Sequence, residues 1–173
     1  MGRLASAAAW PRLVPIRGGD SLAKILIVED NALNIKLFCD LLAAHGHQPE
    51  AVTDSRVAID AAREFSPDLV ITDIQLPHIS GLELIRMIRG DQKLARIPIM
   101  AVTAYSALGD EERIREAGAQ AYVSKPISVV RFAETVEQLL KDEGDKASAD
   151  ASEDPASAVG ESRGQGDAGG EEP

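Results

Sequence analysis

Two neighbouring acids, Glu29 and Asp30, directly follow the apolar run KILIV at 24–28, and a third, Asp73, directly follows DLVIT at 68–72. Thr103 follows PIMAV at 98–102, and Ser124 and Lys125 follow Ala121 to Val123. Each polar group stands at the end of an apolar segment, and the segments are far apart in the chain. If folding gathers them, the chemistry is constrained. Three carboxylates in close contact cannot all stay ionised without a cation. An all-oxygen donor set of that charge selects a hard ion, Mg²⁺ above others. A carboxylate that keeps one oxygen free, as Asp73 would, can attack phosphorus and form an acyl phosphate. The transferred group spreads negative charge over its oxygens and needs cations and donors around it. Lys125, a point charge on a flexible stem, the Thr103 hydroxyl and loop N–H groups would supply them.

The apolar runs themselves explain how such groups could meet. KILIV, DLVIT and PIMAV are short and do not alternate, which suits strands covered on both faces of a parallel sheet. Val52 with its neighbours and Ala121 to Val123 are weaker strands. Between them lie segments of helical period. Leu33, Leu37 and Leu41, with Phe38 and Leu42, form one stripe, ended by Gly46. Val57, Ile59, Ala61, Ala62 and Phe65 form a second, stopped by Pro67. Leu82, Leu84, Ile85 and Ile88 form a third, closed by Gly90. Asp110 to Ala117 is a short charged helix ended by Gly118. Val129, Phe132, Val136, Leu139 and Leu140 form the last. The pattern is (βα)₅. It predicts an α/β, flavodoxin-like, doubly wound five-stranded parallel sheet of order 2-1-3-4-5. In such sheets ligands sit at the carboxyl ends of the strands, beside the point where strand order reverses. Every polar group named above falls there.

Each residue also has an ordinary structural role. Asp30 or Asn31 could be the N-cap of the next helix. Glu29 could be a solvated rim charge, Thr103 a plain strand residue, and Lys125 a loop lysine before Pro126. The joint reading is stronger, because one fold places all five.

Composition bounds the rest. The chain has 173 residues with 45% hydrophobic and only 3% aromatic residues, so its core must be aliphatic. Its 18 basic and 28 acidic residues leave a formal charge of −10, which argues against a nucleic acid partner. One cysteine, Cys39, excludes an internal disulfide. No apolar run is long enough for membrane insertion. The charge is uneven: residues 1–22 carry a net +2, residues 23–140 a net −5 and residues 141–173 a net −7. From Asp142 the chain lacks Leu, Ile, Phe, Tyr, Trp and Met, so 142–173 is expected to be a disordered acidic tail. Residues 1–22, with Pro11, Pro15, Gly18 and Gly19, are expected to be a disordered extension, poor as an export signal. Residues 23–141 form the globular domain.

The wording of the motifs carries a family resemblance. KILIVEDN at 24–31, DIQLPHISGLELI at 73–85, AVTA at 101–104 and SKPI at 124–127 resemble the receiver domain of two-component response regulators. VEDNALNIKLF, GDEERIREAGA and SKPISVV are similar, more narrowly, to single-domain cell-division regulators of the DivK type. The resemblance implies that Asp73 is the phosphoacceptor and that Glu29, Asp30 and Asp73 hold Mg²⁺ with the backbone carbonyl of Gln75. It implies that Lys125 binds the phosphoryl group, that Thr103 is the switch hydroxyl, and that Tyr122 is the switch aromatic, turning inward as Thr103 shifts. Pro126 in this family often follows a cis bond, which would aim Lys125. Gln75 and Tyr105 occupy positions that tune dephosphorylation. The implied partners are a sensor histidine kinase or a histidine phosphotransfer protein. Downstream partners would bind the face of helix 4 (110–117), strand 5 (121–123) and helix 5 (from 129). Ala104, Tyr105, Arg113, Tyr122 and Val123 are candidates on that face. The expected setting is the cytoplasm and cell-division control. Because no helix-turn-helix or catalytic segment follows Leu140, output is expected through protein contacts rather than turnover of a separate substrate.

Other readings meet obstacles. A haloacid-dehalogenase-like phosphatase wants a second acid two positions after its nucleophile, and here Gln75 stands there. A dinucleotide or flavin site wants a glycine-rich turn, which EDNALN lacks. A receiver-like adaptor that works without phosphorylation remains the alternative. Cys39 is expected to be a packed thiol, His45 and His47 to flank a helix end, and His78 to be an exposed loop residue.

Overall fold

The alternation of strand and helix resolves into five parallel strands in the order β2-β1-β3-β4-β5. The computed structural model describes residues 22–104 and 109–150, with side chains through residue 143. Most of the N-terminal extension, Tyr105, and the tail beyond Asp150 lie outside the described residues. The strands are β1 (Lys24–Val28), β2 (Gln48–Val52), β3 (Leu69–Asp73), β4 (Ile99–Thr103) and β5 (Ala121–Ser124). The helices are α1 (Ala32–Ala44), α2 (Ala58–Phe65), α3 (Gly81–Gly90), α4 (Asp110–Ala117) and α5 (Val129–Asp150), and one 3₁₀ turn covers Ser55–Val57. The predicted fold class and strand order are borne out.

The non-alternating strands have the predicted cause. Leu26, Val28, Val70, Ile99 and Ala101 face one layer, packed on Ala58, Ala62, Leu84, Ile85, Ile88 and Ile114 of α2, α3 and α4. Ile25, Ile27, Leu69, Ile71, Met100, Val102 and Val123 face the other, packed on Phe38, Leu42, Phe132, Val136 and Leu139 of α1 and α5. Both faces of the sheet are therefore apolar, and the helices divide two against three. The scarce aromatics matter most in the second layer, where Phe38 stacks on Phe132 with ring centroids 5.0 Å apart.

That stack changes the reading of α1. The leucine stripe was expected to face the core, but Leu33 is 79% exposed and Leu37 is 37% exposed. Phe38 and Leu42, expected in the same stripe, are its buried members. Phe132 opposite fixes the rotation of α1, and a rotation that buries Phe38 turns Leu33 outward. Val123 is corrected too: at 2% exposure it belongs to the core and cannot contribute to a partner face. Finally, α5 runs to Asp150, beyond the expected domain end at 141. Once a helix is nucleated upstream, each added residue needs only one further backbone hydrogen bond, so the helix extends without apolar residues.

Candidate functional site

Parallel register brings the polar groups together. Val28 pairs with Thr72, so Glu29 leaves β1 beside Asp73 at the end of β3. Asp73 pairs with Val102, so Thr103 comes one residue further along β4. Thr103 pairs with Ser124, so Lys125 leaves β5 at the same rim. No local propensity dictates this meeting; the staggered ladder does.

The resulting geometry is tight. Oxygens of Glu29, Asp30 and Asp73 lie within 4.8 Å of one another. Glu29 and Asp73 are buried, at 1% and 5% exposure, while Asp30 is open to solvent. Lys125 joins the cluster from the end of β5: its Nζ donates to Asp73 Oδ2 at 2.5 Å and to Glu29 Oε2 at 3.2 Å. Burial pushes the Glu29 carboxyl above its usual range, helped by the Asp73 charge, while the Asn31 N–H and Lys125 work against the rise. Burial opposes the charge on Lys125, yet its bond to Asp73 and the two carboxylate charges hold its pKa above the ordinary value. The ammonium stays charged between the two carboxylates.

Local chemistry orients each group. Asn31, not Asp30, caps α1, its Oδ1 accepting from the Leu33 and Asn34 N–H groups. That leaves Asp30 free for the site. The Asn31 N–H donates to Glu29 Oε1 at 3.1 Å, and Asn34 Nδ2 donates to Glu29 Oε2 at 3.1 Å. The Gln75 N–H donates to Asp73 Oδ1 at 3.0 Å, a bond that orients the carboxylate. The Lys125 N–H donates to the Thr103 carbonyl at 2.7 Å, tying the ends of β4 and β5. The Lys125–Pro126 peptide is cis. Thr103 is 2% exposed at the strand end. Tyr122 is half-buried, and its hydroxyl donates to Glu111 Oε2 at 2.8 Å, which raises the phenol pKa.

Several residues escaped the sequence reading. Asn34 was one, although two asparagines within five residues of Glu29 were a signal. Ser55 was another: its hydroxyl donates to the Pro77 carbonyl at 2.7 Å and accepts from the Ile79 N–H at 3.1 Å, pinning the loop after Asp73. Gly81 was a third, because a Cβ there would stand 2.1 Å from the Asp73 carbonyl oxygen. Of the remaining singled-out residues, Cys39 lies on α1, His45 at its C-terminal end and His78 in the loop that follows Asp73. Cys39 is half-buried, and burial raises its thiol pKa, which keeps it protonated and inert. His45 Nδ1 lies 3.6 Å from Glu137 at the far end of α1. His78 is exposed in the loop, at φ 70°. No helix among the described residues is long and apolar enough to cross a membrane.

A Mg²⁺ ion fits these donors. The set is all oxygen, carries high negative charge, opens to water through Asp30 and has its carboxylates already converged.

Comparison with known proteins agrees with this geometry. The model of the response regulator receiver domain matches residues 25–137. The polar-differentiation response regulator DivK of Brucella ovis is 52% identical over 118 residues, covering 68% of this chain and 96% of that protein. DivK of Brucella anthropi matches to the same extent. Among solved structures, the receiver domain of a Pseudomonas aeruginosa sensor histidine kinase, with magnesium coordinated in its active site cleft, is 29% identical with TM-score 0.65, over 70% of this chain and 99% of that one. The chemotaxis protein CheY4 of Vibrio cholerae shares the fold, at TM-score 0.65 and 23% identity over 69% of this chain and 99% of that one. By sequence motif, strand order and site alike, this chain belongs to the response regulator receiver domain family of two-component systems.

Proposed function

We propose that the protein is a response regulator that accepts a phosphoryl group on Asp73 and signals through contacts that depend on it. The observation that carries this reading is the Lys125 ammonium on Asp73 Oδ2, beside the converged carboxylates of Glu29 and Asp30. One Asp73 oxygen attacks phosphorus; the bond from phosphorus to the donor's imidazole nitrogen breaks, and the nitrogen keeps the electron pair. Glu29, Asp30, Asp73 and the Gln75 carbonyl would hold Mg²⁺. The ion would neutralise charge on the phosphoryl oxygens. Lys125 leaves its contact with Asp73 to pair with the incoming group as a cation. The Gln75 N–H holds the carboxylate in one orientation. Because the acceptor is the protein's own side chain, no separate substrate is turned over.

The readout follows from the neighbours of Asp73. Thr103, at the adjoining strand end, shifts toward the new oxygens, and Tyr122 turns inward as it does so. The face of α4, β5 and α5 then changes shape. Exposed Ala104 and Arg113, with Tyr122, form its described part. The donor is a sensor histidine kinase or a histidine phosphotransfer protein. The similarity to DivK, a polar-differentiation response regulator, supports a role in cell-division control, and the proposed setting is the cytoplasm.

Incubation with acetyl phosphate and Mg²⁺, followed by mass spectrometry, tests the reading. One added phosphoryl group on Asp73 is expected, absent in Asp73→Asn and after chelation. Unchanged labelling of Asp73→Asn, or no labelling of the wild type, refutes it.

A further inference from the structure

Helix α4 is held very differently at its two ends. It is an eight-residue charged helix, and its buried residues, Ile114 and Ala117, both lie in its C-terminal half. The C-terminal end is stapled. Arg89 of α3 donates from Nε to the Gly118 carbonyl at 2.9 Å, from Nη1 to the Ala95 and Ile97 carbonyls, and from Nη2 to Gln120 Oε1. Gly118 permits this, since a Cβ there would stand 2.7 Å from Arg89 Cγ. The N-terminal end begins at Gly109, which makes no side-chain cap and has φ 107°. Its first turn is tied to the sheet through Glu111, whose Oε2 accepts from the Tyr122 hydroxyl at 2.8 Å. Arg115 holds the other oxygen, Oε1, at 2.8 Å. The carboxylate is thus fixed on both sides and forms a directed acceptor.

From this arrangement we infer that Glu111 is a positioning residue that holds Tyr122 in the resting conformation and opposes the switch. The inference rests on the reading of Tyr122 as the switch aromatic. Inward rotation of the ring must break the bond to Glu111. Once it is broken, the first turn of α4 is released while Arg89 keeps Gly118 in place, so the helix tilts about its C-terminal end. Glu111 then sets how often the unphosphorylated protein visits the active shape, because it stabilises one of two states and not the other.

The test uses two readouts. The first is the rate of Asp73 labelling by acetyl phosphate in Glu111→Ala, Tyr122→Phe and the double variant. Loss of one such hydrogen bond predicts roughly 2- to 10-fold faster labelling in each single variant. The double variant is expected to be no faster than the singles, because both remove the same bond. The second is fluorine NMR of 3-fluorotyrosine-labelled protein. The chain has two tyrosines, so a Tyr105→Phe background isolates Tyr122. In Glu111→Ala the resonance of the metal-free protein should move toward the position it takes with beryllofluoride and Mg²⁺. An unmoved resonance, or rate effects that add in the double variant, overturns the assignment of Glu111. A wild-type resonance that ignores beryllofluoride overturns the switch reading of Tyr122, and with it this inference. Absent labelling of Asp73 alongside a displaced Glu111→Ala resonance overturns only the phosphoacceptor reading.

Discussion

Lys125 Nζ bridges Asp73 Oδ2, at 2.5 Å, and Glu29 Oε2, at 3.2 Å, joining groups 52 and 96 residues away in the chain. The contact makes Lys125 a counter-ion to both carboxylates, and in the proposed function it would also pair with the phosphoryl group. Replacing it with alanine removes a donor aimed at the transferring oxygens, and Asp73 labelling should slow by about 100-fold or more. It also leaves two buried carboxylates facing each other, so stability in chelator should fall by about 1–3 kcal/mol. Stopped labelling assays and urea melts check the two effects separately. A labelling rate within twofold of wild type would remove Lys125 from the chemistry.

Convergence of Glu29, Asp30 and Asp73 stores repulsion that a cation relieves. Mg²⁺ at a hundred times its dissociation constant should raise unfolding free energy by about 2.7 kcal/mol. Asp73→Asn should melt higher than wild type in chelator, because one charge of the cluster is gone. Its response to Mg²⁺ should shrink. Thermal melts with and without Mg²⁺ measure this, and equal responses in both proteins would separate Asp73 from the metal.

Gly81 packs against the backbone of Asp73, the proposed phosphoacceptor, with a hypothetical Cβ 2.1 Å from the Asp73 carbonyl oxygen and 2.7 Å from Ile74 Cα. Backbone cannot yield as a flexible side chain does. Gly81→Ala should cost about 3 kcal/mol and displace Asp73, slowing its labelling. Gly90 provides the contrast, since nothing lies within 4 Å of its Cβ position. Gly90→Ala should be neutral or stabilising by about 0.5 kcal/mol. Similar losses in the two variants would contradict the close-approach argument.

His47 gives the acid side of stability a specific cause. Its Nδ1 is buried with no hydrogen-bond partner, in a niche shared with His45 and Glu137. Burial lowers the His47 pKa, the neighbouring His45 lowers it further, and Glu137 partly opposes. The unfolded chain takes up that proton near pH 6.5 while the folded chain resists it, so stability falls as pH drops below that value. His47→Leu should flatten the loss between pH 7.5 and 5.5. Urea unfolding of both proteins at the two pH values decides it; equal pH slopes would exonerate His47.

Much of the fold was legible in the sequence. KILIV, DLVIT and PIMAV declared themselves as strands because both faces of a parallel sheet are dry. Gly46, Gly90 and Gly118 ended helices where expected, and the strand-end rule located Glu29, Asp30, Asp73, Thr103 and Lys125. These are local properties, written in the hydrophobic period and in the residues that break it. What the tertiary structure alone decided involves contacts between distant segments. Phe132, nearly a hundred residues along, turned α1 so that Leu33 faces outward. Val123 and Tyr122 are adjacent in sequence, but the pleat sends one into the core and leaves the other at Glu111. Asn34, Ser55 and Gly81 acquire their roles only once the loops around Asp73 are closed. Periodicity specifies which face is apolar, but a side chain's partner depends on register and rotation, and those are settled by packing.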